Sequence, residues 1–385
     1  MVLDLCVYLV VFAMTSIMFF LYQRTYHGVC FRGISSASNN IITLVYCIEG
    51  CIFLFPIIAM YGLRYGIGTD YFPYQRIYDV LHDTSFKEYW IGHANNTGEF
   101  YVEPGYYILN KVFPSYRLLL WGTGVLIISL ILLAVKDYYH RISYAFAFFI
   151  YLSTQYIYSM NGVRFAVALC FALLGYKELS KNRTVNFVIM MVLAALFHKV
   201  SLFCLAMYFL KEYKHKEINL IRNIALFISI VLFPLISSYL FRIIGSFQSF
   251  ERYFSVAHYS PSETINGSWT WLLHIMPVIL PLIIFCKKEI FDAEDTGTLF
   301  RICLMEVPFR MLGLYNTWYT RFARLSQIVE VIFIPLVLSK IKSKQKKRLL
   351  YMYYIAWFIF YFAYYVIVND QGDSLPYVWI FSQQQ

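Results

Sequence analysis

The chain has 385 residues, of which 60% are hydrophobic and only 14% charged. That balance excludes a soluble globular domain and implies a polytopic membrane protein, so length is counted in spans and no soluble domain is left over. The net charge of +10 lies mainly in short connectors, which argues against nucleic acid as a partner and for a topology signal.

A span needs about 20 mostly apolar residues. Such stretches recur near 2–22, 41–61, 116–135, 143–159, 162–177, 186–210, 220–244, 269–286, 298–317, 322–339 and 349–368. The expected fold is all-α, a single transmembrane domain over 1–385 with roughly 10–12 membrane helices, a long external loop over 62–115 and a second over 245–268. The first segment lacks a basic n-region and a small-residue cleavage site, so it reads as a retained span.

Lys and Arg concentrate at 136–141, 177–183, 211–217, 287–288 and 339–348. The positive-inside rule makes those connectors cytoplasmic and puts both termini outside. KELSKNR before 186–210 and KEYKHKE after it require this stretch to enter and leave on one side. It is short for two crossings, which favours a re-entrant hairpin or two short tilted helices, with the turn at AALFHKVSL, 194–202. The same parity places 62–115, the turn from Ser159 to Gly162, 245–268 and the connector around Thr317 to Thr320 outside. The eight cysteines are scattered, without CxxC or zinc spacing, and read as packing residues.

Within LRYGIGTDYFPY, 63–74, Gly66 and Gly68 let the chain leave its span and turn sharply, holding Asp70 near the interface with Tyr71 and Tyr74 one helical turn apart. Arg64 lies at the same edge. An ordinary interfacial turn is the alternative. EPGYYILN, 103–110, has the form of a helix start, with Glu103 ahead of Pro104. In STQYIYSMNGVRFAVAL, 153–169, Asn161 and Arg164 share a helix face, and Arg164 is already inside an apolar span. Such an arginine marks a ligand path or snorkels to the interface. His198, beside Lys199, breaks an apolar run where the hairpin turns. Arg321 and Arg324 share a face at the external start of a span, and Arg252 lies in the external FERYF stretch. All three run against the positive-inside trend and call for an anionic partner, which forked guanidinium hydrogen bonds suit. Glu306 and Arg310, four apart, neutralise each other. Glu49 and Glu330 have no partner nearby in sequence and keep a transporter reading open.

Taken in order, LRYGIGTDYFPY, EPGYYILN, NGVRFAVAL (161–169), LFHKVSLFCLAMYFL (196–210) and YTRFARLSQIVEVIFIPLVL (319–338) resemble the EpsG-like polysaccharide polymerases, related in role to the Wzy proteins of capsule, exopolysaccharide and O-antigen assembly. Phe165 and Lys199 depart from that pattern. The resemblance implies a bacterial cytoplasmic (inner) membrane glycosyltransferase with an outward-facing site. It implies joining of oligosaccharide repeat units carried on undecaprenyl diphosphate, with a flippase and a chain-length regulator as pathway partners. Such a reaction needs cations for the departing diphosphate, a base and sugar-binding surfaces. Arg164, Arg321, Arg324, Arg252 and Arg64 supply the first, with Asn161 beside them. His198, Asp70 or Glu103 supplies the second, and Tyr71, Tyr74 and Tyr106 the third. No Asp-rich metal motif is present, so no cofactor and no metal is expected. A flippase or exporter of lipid-linked oligosaccharide, another envelope-glycan transferase and a non-enzymatic assembly component stand as alternatives.

Overall fold

The computed structural model describes residues 2–30, 53–95, 102–212, 270–291, 294–313, 320–367 and 374–383, with the isolated positions 224 and 228. Among them helices dominate and no β-strand forms, as expected for an all-α polytopic membrane protein. In chain order the helices are α1 (Val2–Cys30), α2 (Phe53–Gly62), α3 (Tyr71–Asp83), α4 (Phe86–Ala94), α5 (Pro104–Val112) and α6 (Tyr116–Lys136). Then come α7 (Tyr144–Tyr151), a π segment (Leu152–Tyr156), α8 (Ile157–Asn161), α9 (Val163–Ser180), α10 (Thr184–Ala195) and a 3-10 helix (Lys199–Leu210). The remainder are α11 (Thr270–Phe285), α12 (Lys287–Phe291), α13 (Glu294–Leu304), α14 (Glu306–Gly313), α15 (Thr320–Gln327), α16 (Glu330–Lys340) and α17 (Lys344–Ile367).

Three described helices are long and apolar enough to cross a membrane: Tyr116–Lys136, Thr320–Lys340 and Lys344–Ile367. The expected spans at 41–61 and 220–244 fall largely outside the described residues, as does the loop 245–268. Helix α9 is apolar almost all round, and nearly every side chain from Val163 to Ser180 is buried. A helix of that kind belongs in a bundle centre. It packs against α6, α10, the 3-10 helix, α13 and α15.

The ion pairs gather the basic connectors at one end of the bundle. Asp137 accepts from Lys181 at 2.6 Å and pairs with Lys177 at 3.1 Å. Asp295 pairs with Arg141 at 2.7 Å and with Lys340 at 2.9 Å, and Lys346 lies 3.7 Å from Glu289. The stretch 184–212 closes on the same end: Lys211 Nζ donates to Thr184 Oγ1 at 3.3 Å, so the exit of the 3-10 helix meets the entrance of α10. Each arm has 12 residues. That is roughly 18 Å of α-helix or 24 Å of 3-10 helix, short of the ~30 Å hydrocarbon layer. The stretch is a hairpin of two short helical arms, broken at Leu196–His198.

The opposite end collects the turns. Tyr8 donates to Ser374 O at 2.9 Å, Tyr65 N–H to Val378 O at 3.0 Å and Ile380 N–H to Leu63 O at 3.0 Å. The segment 374–380 therefore meets both α1 and the exit of α2. The segment 62–115, expected as a loop, is built from α3, α4 and α5 around a tyrosine cluster of Tyr71, Tyr74, Tyr78, Tyr89, Tyr106, Tyr107 and Tyr116. Helix α5 docks on the hairpin turn: Gly105 N–H donates to Leu196 O at 2.7 Å, and a Cβ on Gly105 would lie 2.7 Å from that same oxygen. Gly105→Ala must push backbone against backbone. The expected loss is about 1–3 kcal/mol, read as a lower thermal-unfolding midpoint in detergent; an unchanged midpoint would mean that α5 does not hold the turn.

Candidate functional site

At the end of the bundle away from the basic connectors, five chain segments enclose a cavity of about 250 Å³. Asp70 and Tyr74 come from the start of α3, Tyr158 and Asn161 from α8, Arg164 and Phe165 from α9, His198 from the hairpin turn, and Thr320 and Arg321 from the start of α15. Gly162, between α8 and α9, completes the wall.

The GTDY turn is positioned by its glycines and by Asn161. Gly66 and Gly68 have φ of +64° and +98°, the left-handed side where only glycine is unstrained. A Cβ on Gly68 would also stand 3.1 Å from Met160 O. Asn161 Oδ1 accepts from Asp70 N–H at 2.9 Å and from Thr69 Oγ1 at 3.0 Å, fixing the turn against α8. Burial raises the Asp70 carboxyl above its ordinary range, and the guanidinium groups of Arg321 and Arg164 partly offset this.

Arg164 donates to Glu103 Oε2 at 2.6 Å, and the other oxygen of Glu103 accepts from Lys199 N–H at 3.1 Å. Glu103 therefore joins α5, α9 and the hairpin turn through one carboxylate, and it is not part of the cavity wall. His198 is 7% exposed, packs edge-on to Phe165 at 5.0 Å and has no hydrogen-bond partner on Nδ1. Next to the cavity, Arg324 stacks on Tyr158 with 3.8 Å to the ring centroid and donates to Gln155 Oε1 at 3.4 Å. Gln155 lies in the π segment, a local distortion frequent at functional sites, and donates to Gln327 Oε1 at 2.9 Å. Arg310 Nη2 donates to the same oxygen at 3.2 Å, and its Nε to Glu306 at 2.9 Å, the expected i, i+4 pair.

Of the residues expected from sequence, Asp70, Tyr74, Asn161, Arg164, His198 and Arg321 converge on this cavity. Arg64, Tyr71 and Tyr106 do not. Arg64 is fully buried, 4.3 Å from the Tyr61 ring centroid, with no acceptor on its guanidinium nitrogens. Tyr71 and Tyr106 are interior members of the tyrosine cluster, and Tyr106 backs Tyr74 at 5.5 Å. Arg252 lies outside the described residues. Sequence reasoning missed Tyr158, Phe165 and Thr320 as wall residues and the Glu103–Arg164 pair. Thr320 adjoins Arg321, a signal within reach; the ion pair joins residues 61 apart and left none.

Among the described residues, no cluster of three or more His, Cys, Asp or Glu side chains has the arrangement of a metal site. The cavity offers cationic and hydrogen-bonding groups to an anion and an unpartnered imidazole nitrogen to a proton. Glu103→Ala would leave the Arg164 charge unpaired and free the turn. Its expected cost is about 3 kcal/mol, with Glu103→Gln losing less because an amide oxygen still accepts from Lys199 N–H; equal unfolding midpoints for wild type and Glu103→Ala would contradict this role.

The family model described as EpsG family matches residues 47–379. No curated protein and no solved structure matches the chain.

Proposed function

The chain belongs to the EpsG family, a Wzy-type polysaccharide polymerase family, and from that membership we propose that it joins undecaprenyl diphosphate-linked oligosaccharide repeat units at the external face of the cytoplasmic membrane. The observation that carries the reading is the meeting of Arg164, Arg321 and His198 in one cavity, at the end of the bundle opposite the basic connectors. If the positive-inside rule orients those connectors inward, the cavity faces out.

In the reaction, the hydroxyl oxygen of the acceptor sugar forms a bond to the anomeric carbon of the growing glycan. The bond from that carbon to the diphosphate oxygen breaks, and the diphosphate leaves on its lipid. His198, with an unpartnered ring nitrogen, takes the hydroxyl proton. Arg164 and Arg321 stabilise the negative charge that builds on the leaving oxygen, which is where fixed cations contribute most to rate. Arg324 acts behind them through Tyr158. Asp70 and Tyr74 orient the sugar, one by hydrogen bonding and the other by an aromatic face. With two guanidinium groups at the leaving group, the chemistry needs no divalent cation. Glu103 is a positioning residue that holds Arg164 and the turn bearing His198.

The test is the surface glycan ladder from cells lacking the gene, complemented with wild type, Arg164→Ala or His198→Asn at equal protein level. The expected result is loss of long chains, with single repeat units still capping the lipid, in the null and both variants. Repeat units stranded on carrier lipid at the cytoplasmic face would instead support a flippase. With purified protein, each substitution is expected to slow chain lengthening by about 10²–10³-fold, and chelator-treated protein to keep its rate; restoration by added metal would refute metal independence.

A further inference from the structure

The 3-10 helix Lys199–Leu210 carries a surface that the chemistry above leaves unused. Runs of 3-10 helix beyond three or four residues are uncommon, yet this one continues for 12 residues. A period of three eclipses every third side chain. Ser201, Cys204 and Met207 accordingly form a buried stripe, and Phe203, Ala206 and Phe209 an exposed one. Phe203 is 42% and Phe209 73% exposed.

The exposed stripe begins at the cavity. Phe203 packs edge-on to Phe322 at 4.9 Å and to Phe309 at 5.4 Å, and Phe322 directly follows Arg321 of the cavity wall. Its far end is Leu210, whose carbonyl accepts from Arg301 near the basic connectors. The stripe therefore runs from beside the cation that would hold a diphosphate along the outer apolar face of the 3-10 helix toward the basic connectors. A diphosphate-linked lipid seated on Arg321 has its chain attached to that same diphosphate, so the chain must leave along an apolar surface that starts beside Phe322. Ala206 is exposed between two exposed phenylalanines, so the stripe steps down in side-chain size there and forms a notch. A methyl-branched chain fits such a relief better than a smooth one.

We infer that the Phe203–Ala206–Phe209 stripe, entered past the Phe203–Phe309–Phe322 cluster, is the track for the isoprenoid chain of the diphosphate-linked substrate. The inference rests on the polymerase reading for the identity of that substrate. Its experiment does not require polymerisation. Purified full-length protein in detergent is photolabelled with a sugar-free polyprenyl diphosphate bearing a diazirine at the end of its chain. The label is expected in the peptide spanning 199–210, and undecaprenyl diphosphate should compete at least about tenfold better than geranyl diphosphate, which shares the headgroup but is too short for the track.

Ala206→Trp fills the notch and is expected to cut labelling about tenfold. Phe209→Ser, at a site too exposed to carry the fold, should cut it as well. Label spread over other helices, unchanged labelling in both variants, or equal competition by phosphatidylglycerol would overturn the inference, the last by making the stripe ordinary lipid-facing surface. Chain lengthening by the same preparation tests the polymerase reading separately, so the two can fail independently.

Discussion

One carboxylate holds the cavity together. Glu103 accepts from Arg164 with one oxygen and from Lys199 N–H with the other, while Gly105, two residues on, donates to Leu196 O. Those three bonds join pieces of chain with no covalent reason to be near one another: helix α5, the central helix α9 and the tip of the hairpin. Arg164 and His198 sit in one wall because of them. A hairpin tip is also the place where backbone groups have lost their helical partners, and in apolar surroundings such irregular backbone is stable only when protein satisfies it. Glu103 and Gly105 do so while setting the site.

The same bond explains how a cation persists in so apolar a chain. An isolated guanidinium out of water is costly, and a buried pair returns that cost only with good geometry. Arg164 has one close carboxylate, enough to hold it charged and fixed but too little to fill its donor capacity. Its Nε has no partner among the described residues. Fixed donors left over in a confined cavity favour developing negative charge, because they need no reorganisation when it appears. The pair serves both stability and chemistry, and the second use depends on the first being incomplete.

What was legible in the sequence follows from contrast. GTDY, NGVR and FHKV each interrupt an apolar run, and all three interruptions reach the cavity. A polar group in a greasy chain needs a partner, so its presence is informative even when the partner is unknown. The partner itself was hidden, because Glu103 and Arg164 meet only through tertiary folding. Tyrosines carried less information. With 35 of them in the chain, residue type does not separate Tyr74 in the cavity wall from Tyr71 and Tyr106 in the interior cluster. Arg64 misled for a related reason: a span edge suggests exposure, whereas the segment at 377–380 covers that edge with the hydrogen bonds of Tyr65 and Ile380. The π segment left no periodic signature either, since one extra residue per turn barely changes a run that is buried on every side.

The gathering of the basic connectors at one end was legible for a stronger reason, since two independent features point the same way. The Lys and Arg clusters define one end by composition alone, and the ion pairs of Asp137 and Asp295 bring several of those clusters together in space. The cavity is built at the other ends of the very helices that carry them. Helix α9 runs from Arg164 to Ser180, just before Lys181, and the segment Thr320–Lys340 from Arg321 to Lys340. At 1.5 Å per residue these are separations of roughly 25–30 Å, about one hydrocarbon layer. The arginines of the cavity therefore belong to a different charge population from the connector lysines. Lysines at the connectors pair with Asp137 and Asp295. Arg164 and Arg321 sit at the far ends of the same helices, in a cavity wall, where guanidinium groups suit an anion by forked hydrogen bonds.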